Sequence, residues 1–378
     1  MQQKPGLFWA LNEFIKQDNW FHIIPIKSQG ENGKYVVAAH SFESYRRYIA
    51  SFFCCLVGVV LLLSIFLSSQ SKALPEKSQT ILTASVYFMV GSMCWNLYNT
   101  NAEVVSLLNG FILVDTELKM GGKQQPEDGK RKLAHFICRM FIITIKCLPV
   151  FLAILSGIVP SFPTNAFEFL NSCEIWENSA VKYIYRVALM IGNYFAWHLV
   201  ATLGFFFALK FLVTFESARV YQLSLLNFSV KEWKVLQRVY RKIQLLLQLF
   251  NKLHAGGFVV YLLLVVGLGQ ITCTYICIRY SGIPLPVVIM LLFEVTDCYL
   301  IILGVYGFAG DVNTTSIIVL QTLQCKLMGE KKIVRKELKS LSVLKMKFGT
   351  ANYIDKMTPL VFINFNHGRI LDLLLVGA

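Results

Sequence analysis

The stretch VLQRVYRKIQLLLQLFNKLHAGGFVVYLLLVV, Val235–Val266, changes its pattern half-way along. Within KEWKVLQRVYRKIQLLLQLFNKLH (Lys231–His254), Leu236, Val239, Tyr240, Ile243, Leu247 and Phe250 recur at helical spacing, while Lys234, Arg238, Arg241 and Lys242 occupy the other face. That is an amphipathic helix with one side packed and one side solvated. After Ala255-Gly256-Gly257 the chain becomes apolar on every face, which suits lipid rather than water. A basic amphipathic helix can lie on a membrane surface or bind a calmodulin-like partner. The favoured reading here is a cytosolic extension, packed on its neighbours, that continues into a membrane span.

Working outward, a hydrocarbon core of roughly 30 Å needs about 20 apolar residues in helix. Six segments meet this: about 48–68, 80–98, 137–159, 184–213, 257–279 and 285–309. The fourth and sixth are long enough to tilt or to extend beyond the bilayer. A seventh, TPLVFINFNHGRILDLLLVGA (358–378), has the length but contains His367, Arg369 and Asp372, so hydropathy alone passes over it. The expected fold is all-α and polytopic, with seven transmembrane helices, an intracellular N-terminus and cytosolic helical extensions. Its parts are a cytosolic segment 1–47, a six-helix transmembrane unit 48–309 containing the linker helix 231–254, a cytosolic helical segment 310–357, and the final helix 358–378.

Orientation follows from the basic residues. With the N-terminus inside, segments 1–47, 99–136, 214–256 and 310–357 carry 27 Lys and Arg, against 3 in the outer loops 69–79, 160–183 and 280–284. Such a bias sets a cytosolic N-terminus. This is opposite to a G-protein-coupled receptor. No basic-then-apolar signal peptide precedes the first span, which is expected to act as its own signal anchor. KMGGKQQPEDGKRK (Lys119–Lys132) reads as a mobile loop, and Ile317–Phe348 as a helix with a break at Gly329. No internal repeat is evident, which weakens an inverted-repeat transporter reading.

Composition agrees with a membrane protein: 378 residues are 55% hydrophobic and 15% charged, with a mean hydropathy of +0.55. The formal charge of +14 orients the spans rather than serving nucleic acid. Most of the ten cysteines lie in apolar segments as small hydrophobes. Only Cys173 falls in an outer loop, so no extracellular disulfide framework is expected. Nucleotide-binding glycine motifs and zinc-spaced histidines are lacking, and no enzyme activity, metal or other cofactor is expected. Gly267 and Gly269 in LVVGLGQI are read as points of close helix packing. Asn227 and Asn313 match the glycosylation pattern but fall on the cytosolic side.

Intramembrane polarity is more informative. LLFEVTDCYLII (Leu291–Ile302) carries Glu294 and Asp297 three residues apart, in the middle of the sixth span. Lys146 lies at similar depth in the third span, and Asn193 and His198 in the fourth. An isolated charge there costs about 2.5–3.5 kcal/mol or more, so Lys146, His198 and Asp297 are expected to form a network. Three readings stay open: a buried structural pair, a ligand cavity or permeation route, and a proton relay. Tyr87, Trp95, Phe151, Tyr194 and Trp197 are aromatic residues able to wall such a cavity.

Seven spans, an intracellular N-terminus, short outer loops and the long helical linker of Val235–Val266, with Asn251 late in its helix, resemble the arthropod gustatory/odorant chemoreceptor superfamily. The order at the C-terminus also fits: a cytosolic helix, a short break, then a final apolar helix. The resemblance implies a tetrameric, ligand-gated, non-selective cation channel of the plasma membrane, homomeric or heteromeric. Its subunits would be joined by their cytosolic extensions, each with a pocket among its helices in the outer leaflet. It places Phe151, Asn193, Tyr194, Trp197 and Glu294 nearest the ligand, and Asn364, Asn366, His367, Arg369 and Asp372 along the pore. Expected partners are a small-molecule ligand and membrane lipid. The alternatives are a proton- or ion-coupled secondary transporter and an accessory subunit of a receptor complex.

Overall fold

A computed structural model of the chain describes residues 8–17, 24–29, 34–37, 41–67, 74–120, 129–158, 179–254, 258–279, 285–349 and 352–376. In chain order these form α1 (Phe8–Gln17), a hairpin of β1 (Ile26–Gln29) and β2 (Lys34–Val37), α2 (Ser41–Leu67), α3 (Leu74–Asn99), α4 (Asn101–Met120), α5 (Gly129–Ile158) and α6 (Ser179–Leu225). Then follow α7 (Trp233–His254), α8 (Phe258–Arg279) and α9 (Leu285–Tyr299), a π-helical stretch Leu300–Tyr306, and α10 (Gly307–Lys326). The chain ends with α11 (Lys332–Lys339), β3 (Met346–Phe348), β4 (Asn352–Ile354) and α12 (Thr358–Val376).

Among the described residues, six helical segments are long and apolar enough to cross a membrane: Thr80–Asn99, Gly129–Leu155, Arg186–Leu225, Val259–Arg279, Leu285–Lys326 and Thr358–Val376. Ile49–Leu63 in α2 is a shorter apolar helix. All seven expected span positions are therefore apolar helices, the polar-studded last one included. α2 packs on α3, α5 on α6, α3 and α9 on α8, and α12 on α8. Gly267 and Gly269 permit two of these contacts. A Cβ on Gly267 would lie 2.7 Å from the Phe362 ring of α12, and one on Gly269 would lie 3.2 Å from Cys298 Sγ of α9.

With 47 residues, α6 is about 70 Å long, more than twice the hydrocarbon thickness. Its lower half gathers the extramembrane elements. α10 and α7 pack on it, α4 packs on α7, and α1 packs against α5 and α6. α7 buries Leu236, Val239, Tyr240, Ile243, Leu247 and Phe250, while Lys242 pairs with Glu117 of α4. The amide of Asn109 in α4 acts as an extra strand for the first hairpin. Its Oδ1 accepts from Tyr35 N and its Nδ2 donates to Tyr35 O, both at 2.8 Å. Asn251 does the same for β3, donating to Lys345 O and accepting from Lys347 N at 2.9 Å each. Tyr240 and Trp233 of α7 hold the same segment, donating to Ser342 O and Glu337 Oε2.

His254, at the end of α7, is enclosed by Phe207, Phe211 and Phe250. Burial, with the nearby Lys210 ammonium second, holds its imidazole well below the usual 6.5. In the unfolded chain it would take up a proton near pH 6.5, while the folded chain resists. Its contribution is thus complete above that pH and lost as pH falls below it. Thermal melts between pH 5 and 8 should show this acid slope flattened in His254→Phe, which keeps the aromatic packing.

Several expectations change in detail. Segment 99–136 contains a whole further helix, α4. The loop expected over Lys119–Lys132 loses both ends to α4 and α5, and residues 121–128 lie outside the described residues. Helix does not run to Phe348: α11 ends at Lys339, and Leu341, Leu344 and Met346 are buried while Ser342, Lys345 and Lys347 are exposed. Near-alternate burial suits an extended chain, and Met346–Phe348 pairs antiparallel with Asn352–Ile354. The helix α10 runs continuously through residue 309. Cys173 lies outside the described residues.

Candidate functional site

The bundle holds a partly open cavity of about 160 Å³ where α3, α5, α6, α8 and α9 meet. An engineered cavity of about 150 Å³ lined by apolar side chains accommodates benzene, so this space suits a ligand of about one ring. Val86 and Met89 of α3, Trp197 and Phe205 of α6, and Val265 of α8 make most of its wall apolar. Its polar lining consists of Thr83, Glu294, Asp297 and Cys298. The lining residues of α3 and α9 lie two to four turns into their helices. The space exists partly because α6 presents Ala201 and Gly204 there, and a Cβ added to Gly204 would meet nothing within 4 Å.

Of the five residues expected nearest the ligand, Trp197 and Glu294 line the cavity. Tyr87 stands behind Trp197, with ring centroids 5.9 Å apart. Asn193 is buried one turn before Trp197 on α6. Tyr194 turns away and stacks on His198, with centroids 5.8 Å apart. Phe151 is half-buried one turn above the lining residue Leu148. Trp95 is 54% exposed.

Of the expected charge network, Lys146 lies apart from the two acids. Asp297 lines the cavity and accepts a hydrogen bond from the Thr144 hydroxyl of α5, and Cys273 of α8 donates to Glu294 Oε2 at 3.0 Å. Lys146 instead lies on the exposed side of α5. The reason is angular: two residues along an α-helix is a rotation of about 200°, so a helix that aims Thr144 at Asp297 aims Lys146 away. His198 stacks with Tyr194.

The five positions on α12 also divide. Asn366 is buried and donates to Gln270 Oε1 of α8 at 2.7 Å, which removes it from any outward-facing surface. Asn364 and His367 are exposed, and His367 Nε2 shares a 2.6 Å hydrogen bond with the Tyr299 hydroxyl at the end of α9. Arg369 and Asp372 pair at 3.1 Å around another part of the helix, with the guanidinium 5.0 Å from the Phe365 ring centre. Most of α12 is uncovered within one chain, Leu375 and Val376 being 77% and 88% exposed.

No family model and no curated protein matches the sequence. Solved structures do match in fold. An insect olfactory receptor from Machilis hrabei aligns with a TM-score of 0.68 at 13% identity, covering 98% of this chain and 98% of that one. The same receptor in complex with eugenol aligns with a TM-score of 0.67 at 12% identity, covering 98% and 99%. The chain has the fold of an insect olfactory receptor. In this version of the olfactory receptor fold, the π-helical stretch Leu300–Tyr306 begins directly below the cavity-lining acids and packs against α12, α6 and α10. Its Gly304 approaches α5 so closely that a Cβ would lie 2.8 Å from Ile137. Such widened turns recur at functional sites.

Sequence reading missed Thr83, Gly204 and the lining residues of α8. Their hydropathy is that of any span, and only Ala201 and Gly204, one and two turns after Trp197, signal a place where side chains leave room.

Proposed function

We propose that this protein is a divergent member of the insect chemoreceptor superfamily, a chemosensory receptor rather than an enzyme. A small ligand binds in the cavity and opens a non-selective cation pore. The observation that carries the reading is a partly open, largely apolar cavity lined by Trp197 and Glu294, in a fold shared end to end with a receptor solved in complex with eugenol. Pockets of this kind between helices are the usual places for small ligands. The pore would be lined by α12 from each of four copies, which accounts for the large uncovered surface of that helix. Asn364, His367, Arg369 and Asp372 are then available to water, the one setting in which such residues are tolerated at membrane depth. The basic extramembrane end faces the cytosol of a plasma-membrane protein, in keeping with its Lys and Arg excess. Opening requires that the ligand bind the open state more tightly than the closed one.

Purified particles should be four-fold rings with α12 at the centre, and a monomer would sink the channel reading. Gly204→Leu fills the cavity from a position where an added Cβ meets nothing within 4 Å. It should abolish ligand-evoked current, with eugenol among the ligands tried, without lowering the melting temperature. An unchanged response would remove the cavity as the ligand site. A transporter is the second reading, favoured by the two acids within the cavity. Uptake driven by a pH gradient and lost in Glu294→Gln would establish it. Silence alone, with current restored by a second receptor, would indicate an accessory subunit.

A further inference from the structure

We propose that the outward side of α5 is a binding site for an anionic glycerophospholipid. Its phosphate is held among Lys132, Arg139 and Lys146, and its acyl chains lie along the apolar residues between them. The site is separate from the cavity. It rests on the chain spanning a membrane, with the start of α5 at the leaflet read above as cytosolic.

Lys132, Phe136, Arg139, Ile143, Lys146 and Val150 follow one another at i, i+4, i+7, i+11, i+14 and i+18, and all six are exposed. A step of seven residues along an α-helix falls about 20° short of two full turns and advances about 10.5 Å. The result is a nearly straight file in which cations alternate with hydrocarbon, climbing into an apolar span. The basic residues just before it are used differently. Lys130 pairs with Asp311 of α10 at 2.5 Å, and Arg131 is half-buried near Tyr221 of α6. Lys132, Arg139 and Lys146 make no ion pair among the described residues.

Depth decides what the file faces. Trp9 of α1 donates from its indole Nε1 to His135 Nδ1 at 3.1 Å, and indoles gather at the boundary between membrane and water. Arg139, one turn beyond His135, then stands at headgroup depth. Lys146 lies about 10.5 Å deeper, where an ammonium facing hydrocarbon alone is costly. Helix side chains lean toward the N-terminus, which for α5 is the headgroup side. The four-carbon stem of Lys146 can therefore carry its charge down toward Arg139, so that two cations converge on the level of one phosphate. An acidic helix is the other conceivable partner. However, Glu294 and Asp297 line the cavity, and Asp372 is paired with Arg369. A phospholipid supplies both halves of what the file asks for. Its phosphate accepts the two-pronged hydrogen bonds of an arginine, and its chains cover Phe136, Ile143 and Val150. Basic sites beside spans at the cytosolic surface attract anionic headgroups in this way.

The test follows the melting temperature of the full-length protein in phosphatidylcholine nanodiscs as phosphatidylserine replaces part of the lipid. Phosphatidylserine should raise it, and Lys132→Gln/Arg139→Gln/Lys146→Gln should remove the rise. Arg139→Gln alone should weaken the apparent affinity about five-fold, the worth of one cation at an anionic membrane surface. Lys231→Gln/Lys234→Gln/Arg238→Gln removes the same charge from exposed positions on and beside α7 and should leave the rise intact. No rise in the wild type, or its equal loss in both triple variants, would overturn the site. Inorganic phosphate and glycerophosphoserine, added to pure phosphatidylcholine discs, should not substitute. If they do, the site takes a free phosphate and not a lipid. If the α5 triple variant does not fold, a phosphatidylserine with a diazirine in its acyl chain gives the answer on the wild type. Cross-links concentrated on residues 132–150 support the site, and labelling spread evenly over the other spans rejects it. Both leaflets of a disc carry the lipid, so these results depend neither on orientation nor on current. An N-terminal tag reached only in permeabilised cells tests the orientation separately.

Discussion

Glu216→Leu is expected to destabilise the protein by about 3–5 kcal/mol, the usual cost of breaking a buried ion pair by removing one partner. Arg219 donates from Nε to Glu216 Oε2 at 2.6 Å and from Nη2 to Oε1 at 2.7 Å, a two-pronged pairing within one turn of α6. The side chains are 4% and 0% exposed for Arg219 and Glu216. Removing the carboxylate therefore takes both of these bonds from a buried guanidinium that cannot lose its charge. Arg219→Met should be similarly harmful for the opposite reason. The double variant should recover most of the loss, since a well-packed apolar pair often equals or exceeds a buried salt bridge. Melting temperature and the monodisperse fraction in detergent would report all three. Single variants that melt with the wild type would show that the pair contributes nothing.

Gly310→Ala is the second large effect, expected to cost about 1–3 kcal/mol through overpacking. On α10, a Cβ at this position would lie 2.4 Å from the backbone oxygen of Asp355 and 2.7 Å from Lys356 N. These atoms are backbone, so no rotamer change relieves the clash. They also belong to the cap of α12. Asp355 Oδ1 accepts from Met357 N at 3.0 Å, and from Thr358 N and Thr358 Oγ1 at 2.8 Å. Displacing this cap displaces the entry of the helix proposed to line the pore, so altered gating should accompany the lower melting temperature. Gly307, one turn earlier on the same helix, is the control: a Cβ there meets nothing within 4 Å. Gly307→Ala should be neutral or stabilise by about 0.4–1 kcal/mol. Equal behaviour of the two alanines would refute the close-approach explanation.

Much of this architecture was legible along the chain. The spans follow from apolar runs, because an apolar helix side chain gains from lipid whatever its neighbours are. The face of α7 follows from six residues at helical spacing, since a helix fixes which positions point together. Even the last span, interrupted by His367, Arg369 and Asp372, became readable once its place after a cytosolic helix was considered. α4 escaped notice because its apolar residues are mixed with Glu103, Asp115 and Glu117 and are shorter than a span. Helix was extended to Phe348 because Leu341, Leu344 and Met346 fit a helical face nearly as well as an alternating one.

Sequence by itself determined that two acids, a lysine and several aromatics share one depth in the membrane, because depth is counted in residues at a fixed rise. It did not determine which of them meet. That depends on the rotation of each helix about its axis, which is set by packing against neighbours rather than by hydropathy. A rotation that brings Thr144 to Asp297 sends Lys146 outward, and one that brings Trp197 to the cavity sends Tyr194 and His198 to each other. The cavity is likewise a property of five helices together. It is the volume left where Ala201 and Gly204 face Val86 and Val265, and no single segment of the chain contains it.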